Sequence, residues 1–468
     1  MLRVALNTES LTRWNPWTWI ERQFHAVLEI FNGLAYIFFL LINATLFLRP
    51  AELIPQMQGL PIYEGLMVGA GIGALPRISK RLTLPALVRE PVTLCVVGLL
   101  AAIILSHLSH LSTWRLSECL SLFVKVMVYY FLLVTLVDSP RRYRGLLVTV
   151  CLTGTLMVSL CVADFVGFHD FEFVSPIRDL AGEMAEGKDH VWVWRMRGTG
   201  LFQDPNDISL VIVVMGVLCT FFMLEPRQSL LRFWWLFPLA ILTAGLMYTR
   251  SRGGLLACGA AGMTFLAYRY GRTVSIVCAL CDSMALPLVA GRQADIDLED
   301  GTGHDRIMIW RDGLDLMNGK SAVFGIGHLN FWDELNIVAH NSCVHAYVEL
   351  GLLGGTLFVG CFFLTGLALF RLRSCRGAYR DPELARFAPF LASLLSGYCA
   401  GLFSLTRCYV VPTYLIVGLG AAYVTLMNSQ LCPPRFLVVW NRDHCKILAL
   451  ASGLLLFGLN LMVKVLTH

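Results

Sequence analysis

Thirteen stretches of this chain are apolar for long enough to be read as membrane-spanning helices, and that feature excludes most other ways of folding it. A helix needs about 20 apolar residues to cross the hydrocarbon core, within a range of roughly 17 to 25. The stretches lie at 27–48, 62–76, 91–111, 116–137, 145–166, 206–224, 233–249, 253–270, 273–290, 342–370, 387–405, 409–427 and 447–466, the second being the shortest. Only 15% of the residues are charged and 56% are apolar, against about a quarter charged in a soluble protein. The apolar residues come in blocks rather than at amphipathic spacing. A soluble enzyme, a disordered chain and a disulfide-rich secreted module are thereby excluded, and an all-α polytopic membrane bundle of about 13 transmembrane helices is expected.

Orientation follows from the basic residues. With a cytoplasmic N-terminus, inner segments collect Arg77, Lys80 and Arg81, then Arg141, Arg142 and Arg144, then Arg371 to Arg386, and finally Arg435 and Arg442. They hold 22 of the 37 lysines and arginines, spread over every inner segment, so the positive-inside rule is met throughout. Deleting the short second span would invert every later loop. The net charge of +5 is ordinary for such a protein and gives no reason to invoke nucleic acid. Most of the 15 cysteines lie inside apolar blocks, where a thiol behaves as a small hydrophobe, and no disulfide framework is read.

Two outer loops are long, at about 167–205 and 291–341, and both are acidic on balance. They divide the chain into an N-terminal part at 1–200 with the first long loop, a core at 201–370 with the second, and C-terminal spans at 371–468. Loops carry function more often than the scaffold does, so any chemistry is expected on the extracytoplasmic face. Nucleotide-activated sugars are not expected there. An enzyme on that face needs an already activated donor, most simply one anchored in the lipid.

Within the second loop, Thr302-Gly-His-Asp305 has capping-box spacing, and Ile307, Trp310, Leu314 and Met317 recur at helical intervals. A short amphipathic helix on the membrane surface is expected there, with Arg306 near its start. His340-Asn341 follows at the entrance to the tenth span. After nine intervening residues, Gly351-x-x-Gly354-Gly355 reads as a small-residue face for close helix approach. A lone interfacial histidine is ordinarily a cap or a structural residue, and its company here favours a polar site over a glycine floor.

Taken together, four motifs resemble the bacterial O-antigen ligase and O-antigen polymerase family of polytopic glycan transferases. They are Gly200-Leu-Phe-Gln-Asp-Pro205-Asn206, Tyr248-Thr-Arg-Ser-Arg252-Gly253-Gly254, Arg306-x-x-x-Trp310, and His340-Asn341 with Gly351-x-x-Gly354, covering about residues 198–360. The resemblance implies a GT-C-like fold in the bacterial inner membrane. It also implies transfer of a glycan from an undecaprenyl diphosphate carrier to an acceptor hydroxyl on a glycolipid or glycan, with no metal ion and no cofactor. His340 is then the candidate general base, since an imidazole titrating near 6.5 can accept the hydroxyl proton. Arg252 and Arg306 are the candidate diphosphate clamps, because a guanidinium binds phosphate oxygens bidentately and stays charged when partly dehydrated. Asn341, Arg311, Arg250 and Arg197 are secondary candidates; for Arg250, snorkelling from a helix end is an equal explanation, and for Arg197 a solvated loop face.

Asp204-Pro205-Asn206-Asp207 reads as helix punctuation, with Asp204 the N-cap. Glu118 and Lys125, seven apart, are positioned to pair, while Asp282 and Glu349 are further intramembrane acids, each read equally as part of an ion pair or of a cavity lining. Asp295-Ile-Asp297-Leu-Glu299-Asp300 contains a DxD of the kind a metal-dependent glycosyltransferase uses, but a loop charge run is usually just solvated. The alternative function is a lipid-linked oligosaccharide flippase or polysaccharide exporter. Such transporters tend to show repeated halves, and none are found here.

Overall fold

The computed structural model describes residues 16–111, 114–171, 174–180, 192–278, 302–375 and 379–467. Its main helices are α1 (Pro16–Leu48), α2 (Ile62–Arg81), α3 (Pro91–Ser109), α4 (Leu116–Leu136), α5 (Pro140–Phe165), α6 (Pro205–Met223), α7 (Leu236–Thr249), α8 (Arg252–Tyr270), α9 (Thr302–Asp315), α10 (Ser342–Arg373), α11 (Ala388–Leu402), α12 (Val411–Gln430) and α13 (Arg442–Leu466). Among the described residues nine helices are long and apolar enough to cross a membrane. The segments expected at 62–76, 253–270 and 387–405 are also helical, as α2, α8 and α11. Of the segment expected at 273–290, only the residues up to 278 are described, and these are helical. This is a multi-pass, all-α membrane protein.

The helix starts explain themselves locally. Pro91, Pro140 and Pro205 open α3, α5 and α6, where a missing backbone N–H costs nothing. Ser139, Asp204, Ser251, Asn341 and Asn441 each accept a backbone N–H of the first turn that follows. Between the helices, packing is dominated by α8 on α11, α1 on α2, α10 on α3 and α12 on α4. Buried hydroxyls bridge some of these contacts: Tyr129 Oη donates to Asn43 Oδ1 at 2.7 Å, and Tyr347 Oη lies 2.6 Å from Ser452 Oγ. Such pairs fix helix register where lipid tails offer no competing partner.

Connecting segments gather at two ends. At one, Arg77 and Arg142 meet Asp138, Arg81 meets Glu90 at 2.5 Å, and Arg144 bridges Glu225 and Glu383. At the other, Arg115 pairs with Asp333, Lys320 Nζ donates to the Ser109 carbonyl, and the first long loop folds back on α7. That first loop contains an unanticipated feature, an antiparallel hairpin pairing Ile177–Leu180 with Trp192–Arg195. Glu118 and Lys125 are both exposed on α4 and form no ion pair among the described residues, so the pairing expected from their spacing is not present.

Helix α10 breaks at Gly351, where φ is 65° and ψ −168°. The break releases carbonyls from the helical ladder, and the outer loop takes them up: Ile326 N–H donates to Val348 O at 3.0 Å and Gly327 N–H to Glu349 O at 3.1 Å. A Cβ on Gly351 would lie 2.3 Å from the Val323 carbonyl carbon, and one on Gly325 would lie 2.1 Å from the Glu349 oxygen. The glycine motif is therefore a backbone-on-backbone seam between α10 and the loop. It is not the helix–helix face expected from its spacing, because positive φ at Gly351 ends the regular face before Gly354. Glu349, fully buried, adds to the seam: its Oε1 accepts from Phe331 N at 3.3 Å and its Oε2 lies 3.1 Å from His345 Nε2.

Candidate active site

Arg306 and Trp310 are four residues apart on α9 and so share one face. Ile307, Trp310 and Leu314 are buried there against the protein, chiefly α10 and α13. The apolar face expected to rest on lipid is thus covered by the bundle. The Trp310 indole donates to the carbonyl of Ala339 at 2.7 Å. His340 comes next, in the left-handed region with φ 48°, a conformation that histidine tolerates better than most residues. Asn341 then turns extended and caps α10, its Oδ1 accepting from Cys343 N at 2.9 Å and Val344 N at 3.1 Å. The imidazole is held between a pinned carbonyl and a capped helix.

A second set of caps interlocks the two earlier motifs. Asp204 caps α6 by accepting from Asn206 N at 2.7 Å. Asn206 Oδ1 in turn accepts from Ser251 Oγ at 2.7 Å, and Ser251 caps α8 by accepting from Gly254 N at 3.0 Å. Arg195 reaches across both, donating to the Thr249 carbonyl at 2.9 Å and to Asp179 at 2.7 Å. The space over Gly253 and Gly254 is filled by Ser404 and Ser209, since a Cβ at either glycine would come within 2.4 Å of a serine hydroxyl. These glycines seat α8 on its neighbours and leave Arg252 exposed at the helix start.

Electrostatically the motifs converge. Arg306 is held below the ordinary arginine value, first by burial and then by the like charges of Arg195 and Arg252, with Asp204 opposing. His340 is likewise held below its ordinary value, first by burial, then by Arg306 and Arg407, again against Asp204. Arg195 and Arg407 have carboxylate partners in Asp179 and Asp207. Arg252, Arg306 and His340 make no hydrogen bond or ion pair with other described residues. Among the described residues the cluster is positive on balance, with Asp204 as its opposing carboxylate, and such a field attracts anions.

The secondary candidates are placed differently. Asn341 Oδ1 is committed to capping, and its buried Nδ2 has no partner among the described residues. Arg311 turns to its neighbour Asp312 at 2.9 Å. Arg197 holds Ser175, through the carbonyl at 2.5 Å and the hydroxyl at 2.8 Å. Arg250 is exposed in a left-handed conformation at the end of α7. The acidic run at 295–300 and Asp282 lie outside the described residues. Among the described residues no group of three or more His, Cys, Asp or Glu is placed to hold a metal ion.

Two participants escaped the sequence reading. Arg407 bears on His340, and Asp207, read only as helix punctuation, binds Arg407. A signal was available: Arg407 stands in a short segment between two apolar spans on the side where basic residues are in deficit.

At one end of the helical membrane bundle, Arg306 thus bears on His340 and is itself acted on by Arg252, with Asp204 opposing. Residues 237–359 match the sequence family described as O-Antigen ligase. The family supports a membrane ligase or polymerase that transfers glycans, with lipid-linked glycan and glycan or lipid acceptors as its general substrates. The matched segment holds Arg252, Arg306 and His340 but not Asp204, Asp207 or Arg407. Comparison with curated proteins gives no match.

Proposed function

We propose that this protein transfers a glycan from an undecaprenyl diphosphate carrier to an acceptor hydroxyl at the extracytoplasmic face of the bacterial inner membrane, as an O-antigen ligase or surface-polysaccharide polymerase. The observation that carries the reading is the company of His340: two guanidinium groups that form no ion pair among the described residues, Arg252 and Arg306, belong to the same charged cluster.

The chemistry follows from these groups. The acceptor oxygen attacks the anomeric carbon while its proton passes to the neutral imidazole of His340. The bond from that carbon to the diphosphate oxygen breaks, and the negative charge left on the diphosphate is met by Arg252 and Arg306. Attack opposite the leaving group inverts the configuration, and no covalent glycosyl-enzyme is needed. His340 then releases its proton to water. Neutralisation by arginines makes a divalent ion unnecessary.

The test uses purified protein with carrier-linked oligosaccharide and candidate acceptors, with and without a chelator. His340→Ala at normal protein level is expected to lose transfer by a factor of roughly 100 to 10,000, and the chelator to have no effect. Retained transfer in the variant would remove His340 as the base, and absence of transfer by the unaltered protein would return it to the flippase or exporter class. Loss of activity with the chelator would overturn the arginine-only mechanism.

A further inference from the structure

Arg407 lies between α11 and α12, outside the family-matched segment, and is held from two directions. Its guanidinium meets the Asp207 carboxylate in a two-pronged contact, Nε to Oδ1 at 2.6 Å and Nη2 to Oδ2. The Asp207 side chain is 4% exposed and that of Arg407 36%, so the carboxylate is the buried anchor and the guanidinium the accessible end. The main chain is fixed as well: Arg407 N–H donates to Ser342 Oγ at 2.9 Å, and that hydroxyl donates to the Leu405 carbonyl at 2.6 Å. Ser342 is two residues past His340, and Asp207 three past Asp204. The pair therefore joins the two segments that carry the imidazole and the cluster's carboxylate.

A buried ion pair is poor value as a source of stability, since apolar side chains of similar volume commonly do as well. A positional role explains it better. We propose that Asp207 and Arg407 are a positioning pair for glycan transfer: Asp207 fixes the Arg407 guanidinium near His340, where its positive charge keeps the imidazole free to accept a proton. This rests on His340 being the base. The charged groups bearing on His340 are Arg306 from α9, Asp204 from the start of α6, and Arg407. Arg407 is the one whose strength Asp207 sets, because a partnered guanidinium repels a nearby proton less than a bare one.

The sign of that coupling gives the test. The pH dependence of kcat/KM reports the base in the free enzyme, and is measured with the full-length protein, carrier-linked donor and acceptor. Arg407→Gln removes a repelling charge, so the acid limb is expected to move up by roughly half a pH unit. Asp207→Asn leaves Arg407 without its counter-ion, so the limb is expected to move down. Arg407→Lys keeps the charge and is expected to keep the limb while lowering the plateau. A purely structural pair would lower the plateau in all three and leave the limb in place, and that result, or movement of the first two in the same direction, overturns the proposal. If Arg407→Gln fails to accumulate, Asp207→Asn against Arg407→Lys still decides it. Failure of the base reading is seen separately, as an acid limb that survives His340→Ala.

Discussion

Trp310 donates its indole N–H to the carbonyl of Ala339 at 2.7 Å, tying the helix that carries Arg306 to the residue before His340. Ala339 is fully buried, so without this bond its carbonyl has no water to turn to. Trp310→Phe keeps the ring and removes the donor. We expect a loss of about 1–3 kcal/mol in stability and a fall in transfer rate of roughly tenfold or more as Arg306 loses its register with the imidazole. Thermal midpoints and initial rates at saturating donor check this; an unchanged rate would separate the two motifs.

Arg252 and Arg306 come from different elements but act on one charge cluster. Their lysine variants keep the charge and lose the planar fork, so the expected effect is a higher KM for the carrier-linked donor, by about tenfold each. Alanine at either position is expected to reduce kcat/KM by roughly a hundredfold. The double alanine variant should lose less than the product of the two, because both act on the same diphosphate. Losses that multiply would mean the two residues serve separate groups.

His328 supplies a stability prediction. It is 1% exposed, sits edge-on to Tyr409 with centroids 4.4 Å apart, and neither ring nitrogen has a hydrogen-bond partner among the described residues. Burial, followed by the opposing pull of Glu349 and repulsion from His345 and His107, sets its pKa at about 4. Between the unfolded value near 6.5 and 4 the unfolded chain binds a proton that the folded chain refuses, so stability is full above pH 6.5 and declines as pH falls. The loss reaches about 3 kcal/mol by pH 4. His328→Phe should flatten that part of the unfolding-versus-pH curve, and an unchanged slope would assign the acid sensitivity elsewhere.

Much of this was legible in the sequence, for reasons that differ by residue. Block hydrophobicity marks helices directly, which is why α3 to α6 lie where the apolar stretches do. Caps such as Asp204 and Asn341 are local chemistry and could be read from neighbours. Gly351 was misread because spacing reports that a residue is small, whereas its role depends on a positive φ and on the backbone of Val323, far away in sequence. Asp207 and Arg407 are 200 residues apart, and only packing of α6 against the α11–α12 connection brings them together. The amphipathic period of α9 was correct, yet period alone does not distinguish lipid from protein as the covering surface.

The seam at Gly351 is expected to be intolerant. Gly351→Ala adds a Cβ 2.3 Å from the Val323 backbone at φ 65°, and a residue strained in this way costs about 1–3 kcal/mol before any clash is counted. The expected outcome is a large loss of folded protein in membranes. Gly366→Ala, on the same helix with nothing within 4 Å of its added carbon, is expected to be neutral. Comparable folded yields from the two would refute the seam.

That seam also governs how the site comes into being. The carbonyls of Val348 and Glu349 accept from Ile326 and Gly327, so peeling the loop away would break two buried hydrogen bonds at a cost of about 1–3 kcal/mol each. The strap bearing Arg306 and the rod bearing His340 are therefore expected to open and close together as one cooperative unit, so clamp and base assemble or fail jointly.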